Sequence, residues 1–170
     1  CCTQHYNGIS WRQGGCRPLG NGAEGQGQAF GTQNAAQSGP SYHSGAPTEE
    51  YQYNGFVWCH TQTGNFASSD RGAAGSQNAA TRWGGHSNTG YTEEWNGASW
   101  ATAAEMTNPR SGAVGGGTQN DVVAIGGAAN ANACRNKTEK YDGTAWTDGP
   151  NPPMVNQSSY GSAGGSSTDL

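Results

Sequence analysis

The chain has 170 residues, of which 12% are charged, and eight Lys plus Arg against twelve Asp plus Glu give a net charge of −4. The few basic residues are scattered and no apolar run approaches the roughly 20 residues that cross a bilayer, so we expect neither nucleic acid nor a membrane as a partner. Only 32% of the residues are hydrophobic. That is too few for one conventional core, since soluble domains usually have roughly 45–50%.

In chain order, the clearest predicted elements are four tight hairpins. Asn-Gly or Asp-Gly lies between an aromatic residue and a tryptophan in YNGISW, YNGFVW, WNGASW and YDGTAW, which end at Trp11, Trp58, Trp100 and Trp146. These dipeptides supply the positive backbone dihedrals of a two-residue hairpin. The tryptophans lie 47, 42 and 46 residues apart. A repeat of roughly 40–50 residues with a hairpin and a recurring tryptophan is typical of one blade of a β-propeller.

Two further motifs recur in phase with the last three hairpins. A Gly-Thr/Ser-Gln-Asn turn comes first, and a Thr-Glu-Glu/Lys segment follows it after 17, 17 and 21 residues, counted from the glycine to the threonine. The first two repeats therefore align without a gap, and the third carries extra residues around 128–136. A solvated linker has no reason to keep such a phase, so the repeat argues against disorder. The motifs are Gly31–Asn34, Gly75–Asn78 and Gly117–Asn120, then Thr48–Glu50, Thr92–Glu94 and Thr138–Lys140.

The third repeat shows the strands most clearly. A turn at Asn108–Gly112 precedes a small-residue strand at Ala113–Gly116, and the apolar run Asp121–Ile125 is a buried strand that ends at Gly-Gly. Thr138–Tyr141 forms a third strand, and the fourth begins at Thr144. We therefore predict an all-β protein of four-stranded antiparallel blades, about four in this chain, with essentially no helix.

This order of turn, apolar strand ending in Gly-Gly, and a Tyr and Trp a few residues apart resembles the kelch repeat. In the second repeat, Asp70–Gly72 is the turn, Trp83–Gly85 the strand end, and Trp95 and Trp100 the aromatic pair. The T-E-E-Y/W-(D/N)-G-x-x-W wording is similar to a kelch-like variant found in low-charge repeat proteins of bacteriophage particles and other surface structures. The resemblance implies no catalytic motif.

The first repeat departs most from this pattern. Pro40-Ser41 replaces Gly-Gly, and Tyr51 and Gln52 are inserted before the hairpin. In the second strand, Gln37 and, one repeat later, Arg82 stand where apolar residues are expected. Burying either without a partner costs roughly 1–3 kcal/mol. Three explanations stay open: these strands turn one face to solvent, the blades are irregular, or the sequence is imperfectly determined there.

The organisation that these repeats predict is one propeller domain over 1–170. Its repeats lie near 12–58, 59–100 and 101–146, and a further blade is shared between 147–170 and 1–11. The chain begins inside a hairpin and ends inside a strand, which indicates a stretch of something longer. A ring closed at four blades is allowed, and so is an arc completed by more chain or by a second copy.

Neither cysteines nor histidines predict a metal site or cofactor. The five cysteines share no repeat position and no CxxC spacing, although one or two disulfides remain possible. Tyr42, His43 and His86 should lie on one face of adjacent blades, where copper oxidases built on kelch propellers place Tyr, His and Cys ligands. Nothing fixes three ligands at binding distance, so we interpret the histidines at 5, 43, 60 and 86 as exposed loop residues.

The acidic pairs Glu49-Glu50 and Glu93-Glu94 could be read as a general acid and base. They recur in every repeat, whereas catalysis needs a single site, so we predict a structural role for them and no enzyme activity. The repeated tryptophans are predicted to be core residues, with Trp100 buried between the second and third blades. Trp83, Tyr91 and Tyr42 are the better candidates for a glycan platform, because they are out of phase and flank loops.

The sequence therefore predicts a non-enzymatic structural component of an extracellular assembly, most simply a bacteriophage virion protein of the tail, fibre or outer shell. Its expected partners are other virion or assembly proteins, with host surface glycans reached through loops bearing Tyr42, His43, His86 and Tyr91, and a homo-oligomer is allowed. The alternative is a carbohydrate-binding module or cell-surface adhesin.

Overall fold

A computed structural model describes residues 2–18, 27–39, 49–66, 68–129, 136–153 and, for the backbone alone, 162–163. Every regular element in these residues is a β-strand, and they form four sheets whose consecutive strands pair antiparallel. Two of the sheets have the four-stranded, up-and-down order of propeller blades, and a third has the same order with a fifth strand added at one edge. The predicted all-β fold of blade-like antiparallel sheets is therefore confirmed.

The sheets follow one another along the chain, and we call them the hairpin sheet and the first, second and third blades. The hairpin sheet contains β1 (Cys2–Tyr6) and β2 (Trp11–Cys16). The first blade contains β3 (Ala29–Thr32), β4 (Ala35–Ser38), β5 (Glu50–Tyr53) and β6 (Trp58–Thr61). The second contains β7 (Gly72–Ser76), β8 (Ala79–Trp83), β9 (Thr92–Trp95) and β10 (Trp100–Ala103). The third contains β11 (Val114–Thr118), β12 (Asp121–Ile125), β13 (Thr138–Tyr141) and β14 (Trp146–Asp148).

All four predicted hairpin turns form in the same way. In the first blade, the Asn54 side chain accepts hydrogen bonds from the backbone N–H groups of Phe56 and Val57, both at 3.0 Å. Gly55 follows at a φ of +91°, which only glycine adopts without strain. In the last hairpin a carboxylate replaces the amide, and the N–H groups of Ala145 and Thr144 lower the pKa of Asp142. The local sequence alone is enough to build these turns.

The first strands of successive blades lie side by side, with β7 between β3 and β11. Close approach requires small residues there. A Cβ added to Gly115 of β11 would lie 1.9 Å from the carbonyl oxygen of Val123 in the same blade and 3.0 Å from the Trp83 ring of the second blade. This explains why these strands are rich in Gly and Ala although they are buried.

Each tryptophan that starts a fourth strand ties its blade to the one before it. The indole N–H donates to the residue three positions before the end of the third strand in the preceding blade or, for Trp58, of β1 in the hairpin sheet. Since the same bond occurs at three successive interfaces, the recurring tryptophan is the repeated link between blades. The three bonds are Trp58 to Thr3 Oγ1 at 2.7 Å, Trp100 to Glu50 Oε2 at 2.8 Å and Trp146 to Thr92 Oγ1 at 2.9 Å.

The glutamine of the Gly-Thr/Ser-Gln-Asn turn forms a second recurring link. Its side-chain amide donates to the backbone carbonyl at the end of the third strand in the preceding blade or, for Gln33, at the end of β1 in the hairpin sheet. The recurrence of this glutamine was visible in the sequence, but its role was not. The bonds are Gln33 to Tyr6 O at 3.0 Å, Gln77 to Tyr53 O at 2.8 Å and Gln119 to Trp95 O at 2.9 Å.

Among the described residues, the hydrophobic core consists of two clusters, one at each blade–blade contact, and it corrects two predictions. Trp100 lies between the first and second blades, not between the second and third. Trp83 is completely buried between the second and third blades rather than facing a loop surface. The clusters are Phe30, Ala73, Ala80, Trp95 and Trp100, and then Ala74, Trp83, Met106, Ala113, Val122, Ala124, Tyr141 and Trp146.

The first blade also corrects the predicted register. Glu50, not Thr48, occupies the position of Thr92 and Thr138, three residues before the end of the third strand. Tyr51 and Gln52 are regular residues of β5, so the two extra residues of this repeat lie upstream of Glu50. A loop absorbs extra residues without disturbing strand pairing, whereas an insertion within the strand would break it.

The predicted shared blade is described only in part. β1 and β2 pair with each other, and a disulfide joins Cys2 to Cys16, while Cys59 is a free, exposed cysteine. Two backbone residues of the C-terminal segment, β15 (Ser162–Ala163), pair parallel with β11 of the third blade. Because the rest of 154–170 lies outside the described residues, the shared blade stays a prediction.

Candidate functional site

A buried cluster of four charged side chains joins the first and second blades. Arg82 on β8 lies between two carboxylates, with Nη1 2.5 Å from Glu50 Oε1 and Nη2 2.7 Å from Glu93 Oε2. Arg71, in the turn before β7, binds the same Glu93 oxygen. The side chains of all four residues are fully buried. We call Glu50, Arg71, Arg82 and Glu93 the ion cluster.

Neutral donors and an aromatic ring complete the ion cluster. Glu50 Oε2 accepts from the Gln37 side chain at 2.6 Å and from the Trp100 indole at 2.8 Å. The guanidinium of Arg82 lies 4.0 Å from the centroid of the Trp100 ring, a favourable cation–π distance. Gln37 and Arg82 are thus buried and have hydrogen-bond partners. The explanation that their strands turn these positions to solvent is therefore wrong.

The third blade contains a reduced version of the cluster. Arg110 Nη2 lies 3.1 Å from Glu139 Oε2, and both side chains are fully buried. The backbone N–H of Asn108 donates to Glu139 at 3.1 Å, just as that of Asn65 donates to Glu93 at 2.8 Å. The recurring glutamate therefore anchors the turn that leads into its own blade.

The charges around Glu93 determine its ionisation. Burial would raise the pKa of this carboxyl, but the charges of Arg82 and Arg71 and the hydrogen bond from Arg71 lower it below its ordinary value. Burial, followed by the charge of Arg82, lowers the pKa of Arg71. The ion cluster consequently depends on each member keeping its charge.

The carboxylates that suggested acid–base chemistry are engaged in the fold. Glu50 and Glu93 are held by arginines, and their side chains are fully buried. Glu94 accepts the hydroxyl of Tyr141 at 2.7 Å across a blade contact, and Glu49 accepts that of Tyr51 at 2.9 Å. Burial, and then Glu94, raises the pKa of Tyr141. These contacts are structural.

The loops between blade strands present a small aromatic surface. The rings of Phe66 and Tyr91 stack in parallel at 4.1 Å, and both residues are half-buried. Exposed His86 lies nearby in sequence, with Nδ1 3.7 Å from Asp70 Oδ2. Trp83 does not belong to this surface, because it is buried in the core. Tyr42 and His43 lie outside the described residues.

Within the described ranges, no three His, Cys, Asp or Glu side chains come together as a metal site. His5 is a buried strand residue and not an exposed loop residue, since its Nε2 lies 2.7 Å from Tyr53 Oη. The ring of His60 on β6 packs edge-on against Tyr51. The three histidines in the described ranges thus belong to the hairpin sheet (His5), the first blade (His60) and the second blade (His86).

An open groove of about 500 Å³ lies between two successive strand turns, at the ends of the second and third blades. Its lining supplies small side chains and amides but no titratable group, so this groove offers no acid or base. The lining residues are Gly75, Ser76, Ala79, Gly117, Thr118, Gln119 and Asn120.

Neither a protein-family model nor a curated protein matches the chain. Among the residues that the structure describes, no helix has the length and apolar character needed to span a bilayer.

The depressed pKa of Glu93 predicts a specific loss of stability in acid. A group whose pKa is lower in the folded than in the unfolded chain stabilises the fold above its unfolded pKa, and that contribution disappears as the pH falls through the folded pKa. We expect the free energy of unfolding to decrease as the pH is lowered below about 4.5, the ordinary pKa of a glutamate carboxyl. Urea titrations between pH 7 and pH 2.5 measure it. Glu93→Gln should flatten this slope, and equal slopes in the two proteins would contradict the assignment.

Proposed function

We propose that this chain is a non-enzymatic structural component of an extracellular assembly, with a bacteriophage virion as the leading setting. The observation that carries the proposal is the use of the recurring polar residues. The tryptophan and glutamine of each repeat connect one blade to the next, and the glutamate of the second and third blades fixes the turn that leads into its own blade. Such a chain is rigid building material whose work is done by its surfaces.

The low charge and the repeat motif are the basis for proposing a bacteriophage virion. Similarity to the kelch-like repeats of bacteriophage particles favours a tail, fibre or outer-shell location, next to other virion proteins. A virion or extracellular location also agrees with a disulfide between Cys2 and Cys16, because disulfides persist in oxidising surroundings.

Particle purification tests this function. An antiserum against the recombinant chain should follow the particle band through a density gradient, mass spectrometry of the band should find its peptides at a fixed ratio to the major particle protein, and cryo-electron microscopy should locate its blades. Recovery of the chain only in the soluble cell fraction would refute the proposal. So would substrate turnover that is lost in His86→Ala.

A second candidate function, glycan binding, is favoured by the stacked and half-buried Phe66–Tyr91 pair. Sugar rings bind on aromatic faces that remain open to solvent. If glycans bind here, Tyr91→Ala should abolish retention on a glycan column, while Phe56→Ala, which removes an exposed ring from a distant hairpin turn, should retain it. Equal retention of both variants would rule out this surface.

A further inference from the structure

The hairpin sheet presents the outer side of a blade–blade contact. Trp11 occupies the same position as Trp58, Trp100 and Trp146, the first residue after the hairpin turn. Trp100 and Trp146 are each 6% exposed, because the preceding blade covers them, whereas Trp11 is 66% exposed. Trp11 therefore occupies the position of a buried interface residue, but none of the blades that the structure describes packs against it.

The aromatic pair on this face already has its docked geometry. The ring centroids of Tyr6 and Trp11 are 5.0 Å apart at an angle of 35°. The corresponding values are 4.9 Å and 34° for Tyr53 and Trp58, whose indole is bonded to the hairpin sheet. A surface that needs no rearrangement to bind loses little conformational entropy on docking.

The third blade offers the matching acceptor at the other end of the array. At each existing interface the tryptophan N–H donates to the residue three positions before the end of the third strand. In the third blade this position is Thr138, whose hydroxyl is chemically the same acceptor as that of Thr92. Thr92, which the third blade covers, is 0% exposed, and Thr138 is also buried, at 7% exposed, so Trp11 has to reach a recessed acceptor.

A second pair of groups is complementary as well. Tyr53 Oη donates to Gly55 O at 2.9 Å and lies 2.7 Å from His5 Nε2, so His5 is the donor in that contact. Tyr6 Oη likewise donates to Gly8 O at 2.9 Å and can accept one more hydrogen bond. In the third blade the position of His5 is taken by Lys140, an exposed ammonium that can only donate.

We propose that the hairpin sheet of one copy of this chain docks onto the third blade of a second copy, head to tail. Trp11 Nε1 then donates to Thr138 Oγ1, and Lys140 Nζ donates to Tyr6 Oη. The contact continues the blade–blade interface that the chain already repeats. Because two different surfaces meet, copies assemble into a ring or a filament. This inference goes beyond the proposed function, since self-assembly does not depend on where the assembly resides.

Sedimentation velocity of the full chain over roughly 1–100 μM tests the proposal, a range that covers the dissociation constants of ordinary self-association. We expect oligomers that grow with concentration. Trp11→Ala and the isosteric Thr138→Val should each weaken association roughly tenfold or more, because each removes one side of the same buried bond. Phe56→Ala, at a position 78% exposed in another hairpin, should associate as the unchanged chain does.

Mixing the two weakened variants gives the sharpest result. Trp11→Ala keeps an intact third blade and Thr138→Val keeps an intact hairpin sheet, so a mixture should form a one-to-one heterodimer when neither variant associates alone. A chain that remains monomeric at all concentrations would overturn the proposal. So would a monomer in which hydroxyl-radical footprinting finds Trp11 protected, because the ring would then close within one chain.

Discussion

Replacing Arg82 by methionine should lower the free energy of unfolding by ~3–5 kcal/mol, the loss expected when one member of a buried ion pair is removed. Arg82 is completely buried between Glu50 and Glu93. Methionine fills much of the same space, so the loss reports the missing charge more than a cavity. Arg71 still neutralises Glu93 in the variant, whereas Glu50 keeps only the neutral donors Gln37 and Trp100.

Two comparisons make this test specific. Arg12→Met, at an exposed position of β2, should change stability by no more than ~0.5 kcal/mol. The double variant Glu50→Gln/Arg82→Met should recover ~1 kcal/mol or more of the loss, since it no longer buries an uncompensated carboxylate. Urea-induced unfolding followed by tryptophan fluorescence at pH 7 gives all the values. If Arg82→Met lost no more than Arg12→Met, the ion cluster would not contribute to stability.

Trp83→Ala should also lower the free energy of unfolding by ~3–5 kcal/mol, as truncations of buried aromatic residues do. The ring is 0% exposed, and its centroid lies 6.0 Å from that of Trp146 in the next blade. It packs so closely on Gly72 that a Cβ there would lie 2.3 Å from the ring. The backbone on that side cannot collapse into the cavity, because the paired strands β7 and β8 hold it in place.

Trp83→Phe separates packing from hydrogen bonding. The buried Trp83 Nε1 has no hydrogen-bond partner among the described residues, so phenylalanine should lose a clearly smaller amount than alanine. Phe56→Ala, which removes a ring that is 78% exposed, should stay within ~0.5 kcal/mol of the unchanged protein. Chemical denaturation of the three variants measures these differences, and equal small losses at Trp83 and Phe56 would contradict the burial of Trp83.

The sequence alone determined the repeat, the turns and most of the strands. The Asn-Gly and Asp-Gly turns form from local chemistry, since the side chain of Asn54 and the positive φ of Gly55 need no distant partner. The apolar strand Asp121–Ile125 and the strand Thr138–Tyr141 have the predicted bounds. Period-two patterning and turn residues act within a few positions, so they can be read directly.

The register of the first blade could not be predicted from these local patterns. Glu50 matched Glu94 in the aligned motif, yet it occupies the position of Thr92, because the two extra residues lie upstream of Glu50, between β4 and β5. An insertion between two strands and an insertion within a strand can give the same sequence, and only the strand pairing distinguishes them. This shift places Glu50 where it receives the Trp100 indole.

The tertiary structure alone decided which polar residues are buried and what each one binds. Arg82 reads as a misfit in an apolar strand until Glu50, 32 residues away in another blade, supplies its counter-charge. Trp83 flanks a loop in sequence but is buried because the third blade packs over it. The sequence determines local turns and strand periodicity because both depend on near neighbours, whereas burial and ion pairing depend on which blade comes to lie against which.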